Sequence, residues 1–164
     1  MINSFDAIIE ISADSDPIKY EFDKEIGMIR VDRIMPTSMY YPCNYGFIPK
    51  TKGGDGDPID ILIHSSYKLI PGSIIKVRAI GVLHTEDEGG IDAKIISVPD
   101  KKVDCFLANI NKYEDLSQIF IDKIQHFFEN YKKLEKNKWV KVIKWGNTQD
   151  ALDIIKKSTC YENI

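Results

Sequence analysis

Short apolar segments broken by turn residues fill the first two thirds of the chain, and a helical pattern takes over in the last third. Residues 7–11, 18–22 and 28–34 are rich in β-branched and aromatic side chains, which predicts strands. Asp23-Lys24-Glu25-Ile26-Gly27 reads as a hairpin connection between the last two. Residues 59–63, 73–85 and 91–98 continue the series, with Pro71-Gly72 and Gly89-Gly90 as breaks. The run 73–85 is long enough to pair with two neighbours, as a curled strand does in a small barrel. From Ser117 to about Lys136, the residues Phe120, Ile121, Ile124, Phe127, Phe128, Tyr131 and Leu134 recur at three- and four-residue intervals, which predicts a helix that stops at Asn137. Residues 139–143 then read as a strand and 148–157 as a second helix. Strands first and helices afterwards indicate an α+β fold, so the expected architecture is a small closed β-barrel flanked by helices.

Composition narrows the function classes. At 164 residues, without repeats or linker-like tracts, the chain is expected to form a single domain over 1–164. With 22 Lys+Arg against 25 Asp+Glu, its net charge is −3. Nucleic-acid binders that grip phosphates are usually basic, so this balance argues against one. No apolar run approaches the ~20 residues of a membrane helix, and the best stretch, 74–83, contains Lys76 and Arg78. Asp6 and Glu10 lie among the first residues with no basic region before them, so no secretory signal is expected. The expected setting is soluble and cytoplasmic, with no membrane partner. Cys43, Cys105 and Cys160 are far apart and never form a Cys-x-x-Cys pair, which speaks against a disulfide framework or a thiolate zinc site. His64, His84 and His126 lie at no metal-ligand spacing and read as structural.

The sharpest chemical feature is Asp55-Gly56-Asp57-Pro58-Ile59-Asp60, which follows Gly53-Gly54 and leads into a strand. Clustered carboxylates repel unless a cation neutralises them, and Mg²⁺ and Ca²⁺ prefer such oxygen donors. The spacing is not that of an EF-hand. On its own the segment reads more readily as a solvated acidic turn. A second acidic loop, Glu86-Asp87-Glu88-Gly89-Gly90-Ile91-Asp92, strengthens the metal reading. Asp92 and Lys94 stand two apart on a predicted strand and so share a face, as do Lys19 and Glu21. Arg33 offers a guanidinium to a phosphate, and the run from Tyr40 to Phe47 offers phenol donors or aromatic core. Tyr131 and Lys132 fall near the predicted helix end, where a lysine also suits the helix dipole.

Taken together, these segments resemble soluble family I inorganic pyrophosphatases of the bacterial type. The resemblance runs over roughly residues 7–146 and is carried by Ile9-Glu10-Ile11, Asp16-Pro17-Ile18-Lys19-Tyr20-Glu21, Val31-Asp32-Arg33 and Tyr41-Pro42-Cys43-Asn44-Tyr45-Gly46. The signature Asp55-Gly56-Asp57-Pro58-Ile59-Asp60 is its most specific part. Pro71-Gly72-Ser73, Asp87-Glu88, Asp92-Ala93-Lys94 and His126 to Lys132, through Lys138-Trp139, continue it. The resemblance implies an OB-like five-stranded barrel flanked by two helices, and Mg²⁺-dependent hydrolysis of diphosphate to two phosphates.

It further implies that Asp55, Asp60 and Asp92 bind the tightest metal, with Asp60 bridging to a second. Asp87 and Asp92 would serve a third, and Glu21 another ion through water. Asp57 would be the general base toward a metal-bridging water. Lys19, Arg33, Tyr45, Lys94, Tyr131 and Lys132 would bind phosphate, with Glu10, Tyr41 and Glu88 in support. A homohexamer is implied as well. Asn130 replaces the second histidine of the relatives' His-Phe-Phe-Glu-His-Tyr-Lys run, at a position near a subunit interface. The N-terminal segment, residues 1–6, is shorter than in many relatives.

Charge supports the metal reading. Glu21, Asp55, Asp57, Asp60, Asp87 and Asp92 outnumber Lys19, Arg33, Lys94 and Lys132, and each phosphate group adds about −1.5 to −2 more. Such a site requires about three divalent cations to hold that substrate, and three to four with the family pattern. An oligonucleotide-binding barrel that stacks bases on Tyr40, Tyr41, Tyr45 and Phe47 leaves the carboxylates unexplained. A structural Ca²⁺ protein is the other alternative.

Overall fold

The computed structural model describes residues 3–160, so residues 1 and 2 of the N-terminal segment lie outside the described residues. Strand β1 (Phe5–Ile11) buries Ala7, Ile9 and Ile11 and turns Asp6 to solvent, the period of two that a pleated strand imposes. It pairs antiparallel with β4 (Asn44–Phe47), which pairs with β5 (Asp60–Ile63). Next come β7 (Gly90–Pro99), parallel to β5, and β6 (Ile74–Asp87), antiparallel to β7. Residues 74–77 of β6 return to β1 and close a five-stranded ring. The second half of β6 also carries β8 (Val140–Gly146) on its outer side. The long strand therefore serves three neighbours, one more than its length suggested. The hairpin of β2 (Ile18–Asp23) and β3 (Met28–Ile34) stands apart as its own sheet, turned at Gly27 with φ 75°.

Helices α1 (Gln118–Asn130) and α2 (Thr148–Ser158) flank the ring. Alternate side chains of one strand enter different cores. Leu62, Leu83 and Ile96 meet Ile124, Phe127 and Phe128 of α1. Ile61, Val82 and Ile95 meet Ala151 of α2. This is the expected α+β barrel with two helices.

Three elements depart most from the pattern. β4 is buried at all four positions, so it shows no alternation to read. β8 runs on to Gly146, with Val142 and Trp145 packed against the α1 core. The first helix ends at Asn130, short of Lys136. After Tyr131 caps it through a bond to the Phe127 carbonyl, Lys133 to Asn130 and Glu135 to Lys132 make tighter turns. Those turns swing Lys132 and Glu135 off the helical face and toward charged partners described below.

Candidate active site

The β2–β3 hairpin, the 52–58 loop, the β6–β7 turn and the chain after α1 surround one cleft of about 440 Å³. Register places its floor. The parallel β5–β7 pairing sets Asp60 beside Lys94, and the pleat sets Asp92 on the same side. Lys94 Nζ accordingly lies 2.8 Å from Asp60 Oδ2, 2.9 Å from Asp92 Oδ2 and 3.1 Å from the Tyr45 hydroxyl. Lys94 is 3% exposed. Burial alone would drive its proton off, but Asp60, Tyr45 and Asp92 outweigh it and hold the ammonium well above its ordinary range. Burial, with Asp60 and Asp87 nearby, raises Asp92 against the pull of Lys94.

The acidic loop reaches the cleft with Asp55, Asp57 and Pro58. Asp55 Oδ1 accepts from the Asp57 amide at 3.0 Å, a short turn that aims both carboxylates. From the β6–β7 turn, Asp87 and Glu88 meet Lys132 at 3.4 and 3.6 Å. Burial opposes the Lys132 charge, and Tyr131, Glu88 and Asp87 raise it. Glu88 does not line the cleft; it backs Lys132 and accepts from the Trp139 amide at 3.2 Å. On the hairpin, Lys19 Nζ and Glu21 Oε1 are 2.7 Å apart, as the shared face predicts.

Arg33 also faces the cleft, where Asp32 bonds one guanidinium nitrogen at 2.8 Å. Glu135 Oε1 accepts from its Nε at 2.6 Å. Despite burial, Glu135 and Asp32 raise Arg33 further, and Arg33 pulls Glu135 below its usual range although burial opposes this. Sequence reasoning missed Glu135, which lies 102 positions from Arg33 with no motif linking them. It also missed Tyr20, Phe22, Lys24, Phe47 and Pro58 as lining residues.

Tyr41, Tyr45 and Tyr131 bring phenols to the cleft from a packed aromatic cluster with Phe127 and Phe128. Burial raises Tyr41 and Tyr45, so both stay protonated donors. Tyr131 is buried at the helix cap with the rest of the apolar stripe, and Lys132 leaves it. Tyr41, Tyr45 and Phe47 are buried too, which leaves Tyr40 alone exposed and removes the stacking platform that an oligonucleotide reading needs. Glu10 accepts from the Phe22 amide at 2.7 Å, and burial lifts its pKa to about 7.

The donors suit a hard divalent cation in kind, since they are carboxylate oxygens facing one cleft. Among the described residues no three His, Cys, Asp or Glu side chains already converge on a point, and Lys94 neutralises Asp60 and Asp92 directly. No helix of the described residues is long and apolar enough to cross a membrane.

A closed barrel whose cleft alternates carboxylates with ammonium, guanidinium and phenol groups defines an enzyme that handles a highly charged anion. The inorganic pyrophosphatase family model matches residues 7–162. An inorganic pyrophosphatase of Rickettsia typhi is 56% identical over 155 residues, covering 94% of this chain and 87% of the relative. The solved inorganic pyrophosphatase of Coxiella burnetii superposes with a TM-score of 0.94 at 46% identity, covering 96% of this chain and 94% of that one. That of Thermus thermophilus gives 0.90 at 42% identity, over 95% and 89%. The chain belongs to the inorganic pyrophosphatase family, whose members are hydrolases of diphosphate.

Proposed function

We propose that this chain, as a single domain, hydrolyses inorganic diphosphate with Mg²⁺, holding about three to four ions per site with substrate bound. The cleft carries this reading: its carboxylates and cations face one another across a space large enough for a small polyanion. Asp55, Asp60 and Asp92 hold the tightest ion, and Asp60 also serves a second. Asp87 joins Asp92 for a third, and Glu21 serves another through water. Mg²⁺ bound there would lower the pKa of a coordinated water far below that of bulk water and neutralise substrate charge.

This chain's own groups do the rest. Asp57 takes a proton from the attacking water, whose oxygen bonds to one phosphorus while the bridging P–O bond breaks and the second phosphate departs. Lys19, Arg33, Tyr45, Lys94, Tyr131 and Lys132 hold phosphate oxygens and balance the charge that develops on the leaving group. Glu135 and Asp32 aim the Arg33 guanidinium, Glu88 backs Lys132, and Tyr41 and Glu10 brace the floor and the hairpin. The same reading places the enzyme in the cytoplasm as a homohexamer, and exposed apolar side chains such as Val31, Ile34 and Ile119 are surface that subunit contacts could bury.

One preparation tests it. The purified protein is expected to release phosphate from diphosphate only when Mg²⁺ is added, and to sediment as six copies. Asp57→Asn is expected to lose roughly 10²–10⁴ in kcat with an unchanged melting temperature. Intact diphosphate in excess Mg²⁺ sinks the catalytic reading, and a monomeric sedimentation profile sinks the hexamer.

A further inference from the structure

The loop that brings Asp55 and Asp57 to the cleft is fastened by the far end of the chain. Residues 158–160, where α2 gives out, lie antiparallel to residues 50–52, with Thr51 bridged to Thr159. The Lys52 amide donates to the Ser158 carbonyl at 2.8 Å, and the Cys160 amide donates to the Lys50 carbonyl at 2.9 Å. Thr51 is buried, and its hydroxyl donates to the Ile48 carbonyl at 2.6 Å while accepting from the Ile59 amide at 3.0 Å. One side chain thus ties together the two flanks of the loop.

Within the loop, Gly53 donates to the Asp57 carbonyl at 2.7 Å and Gly56 to the Gly53 carbonyl at 3.1 Å. Asp57 has no side-chain hydrogen bond among the described residues, and both acids are exposed. The Asp57 carboxylate is fixed by nothing at its end and that of Asp55 only by the Asp57 amide of the same loop, so the placement of both is inherited from the backbone beneath. Three glycines in that stretch make the backbone costly to order without an anchor.

We propose that segment 158–160 is a positioning element of the site: by pairing with residues 50–52 it holds Thr51, and through Thr51 the loop that presents Asp55 and Asp57. This rests on the reading of that loop as a metal-binding and proton-accepting element. Productive donor geometry needs positions held to about 0.5 Å, and loss of a supporting contact typically weakens metal affinity by about tenfold or more. The tether links α2, packed through Ala151 on the barrel, to a loop that otherwise lies outside any sheet.

Cys160→Pro tests the tether with little other disturbance. It deletes the donating N–H, and Thr159 already sits at φ −66°, ψ 123°, the extended region that a residue before proline favours. Cys160→Ala keeps the N–H and is the control. Two readouts are taken on the full chain without diphosphate: amide hydrogen exchange across residues 52–58, and Mn²⁺ affinity by calorimetry. Cys160→Pro is expected to speed exchange in that loop and to weaken Mn²⁺ binding by about tenfold, with Cys160→Ala matching the parent in both.

Should Cys160→Pro fail to fold, Thr51→Val takes its place, with Thr51→Ser as the control that restores the hydroxyl. Unchanged loop exchange, or Mn²⁺ affinity equal to the parent's, overturns the proposal. A parent protein that binds Mn²⁺ but leaves diphosphate intact would sink the catalytic reading while the tether is still judged by exchange and affinity.

Discussion

Lys94 holds a charge at a depth where an isolated ammonium is untenable, and it does so because two carboxylates and a phenol meet it there. Its ammonium also lies 5.5 Å from the Tyr45 ring centroid and 5.3 Å from that of Phe128. Lys94→Met keeps most of the volume but strands Asp60 and Asp92 against each other. Breaking a buried pair in this way costs about 3–5 kcal/mol. Adding Asp92→Asn removes one of the stranded charges, so the double variant is expected to regain part of that loss in urea unfolding. Strictly additive losses in the cycle would show that the three groups do not act as a unit.

At this scale the sequence was informative where chemistry is local: Asp92 with Lys94 and Lys19 with Glu21 follow from an i,i+2 spacing, and both pairs are in contact. Glu135 was not legible. Its bond to Arg33 exists only because the chain tightens after α1 and folds back over the hairpin.

Between elements, backbone proximity sets limits that periodicity does not reveal. The strands foreseen from β-rich composition and the breaks between segments are β1, β2, β3, β5, β6, β7 and β8. β4 was invisible because every one of its residues is buried, so aromatic core and strand look alike in the sequence. Gly46 in β4 is the clearest constraint. A Cβ there would fall 1.8 Å from the Ile8 carbonyl oxygen, inside the β1–β4 pairing.

Gly46→Ala must therefore push two paired strands apart and cannot be absorbed by a flexible side chain. It is expected to destabilise the fold by about 1–3 kcal/mol, the usual cost of overpacking, or more. Thermal unfolding reads this directly, and a melting temperature equal to the parent's would mean that β1 and β4 do not pair as described. Because β1 and β4 carry Glu10 and Tyr45, the same variant is expected to lose activity in step with stability.

Taken as a whole molecule, half-buried histidines away from the cleft make stability depend on pH. His64 lies 4.7 Å from the Phe120 ring, and burial holds its pKa below the ordinary 6.5, with Asp104 opposing. Asp14, Lys68 and Lys123 share its hollow. Burial lowers His84 likewise, aided by Lys144 and opposed by Asp150. A histidine whose folded pKa is depressed carries fewer protons folded than unfolded just below 6.5, so stability rises with pH in that window. The contribution is intact above 6.5 and is lost as pH falls through the folded value.

Glu10 acts with the opposite sign. Its folded pKa of about 7 lies above the ordinary 4.5, so its contribution is present below 4.5 and fades as pH rises toward 7. The raw pH profile mixes the two, and a difference separates them. Relative to the parent, His64→Gln is expected to gain stability progressively as pH is lowered from 7.5 to 5, because it lacks the group that must stay neutral. Chemical denaturation of both proteins across that range measures the gap, and a gap constant with pH would show that His64 takes up its proton as freely folded as unfolded.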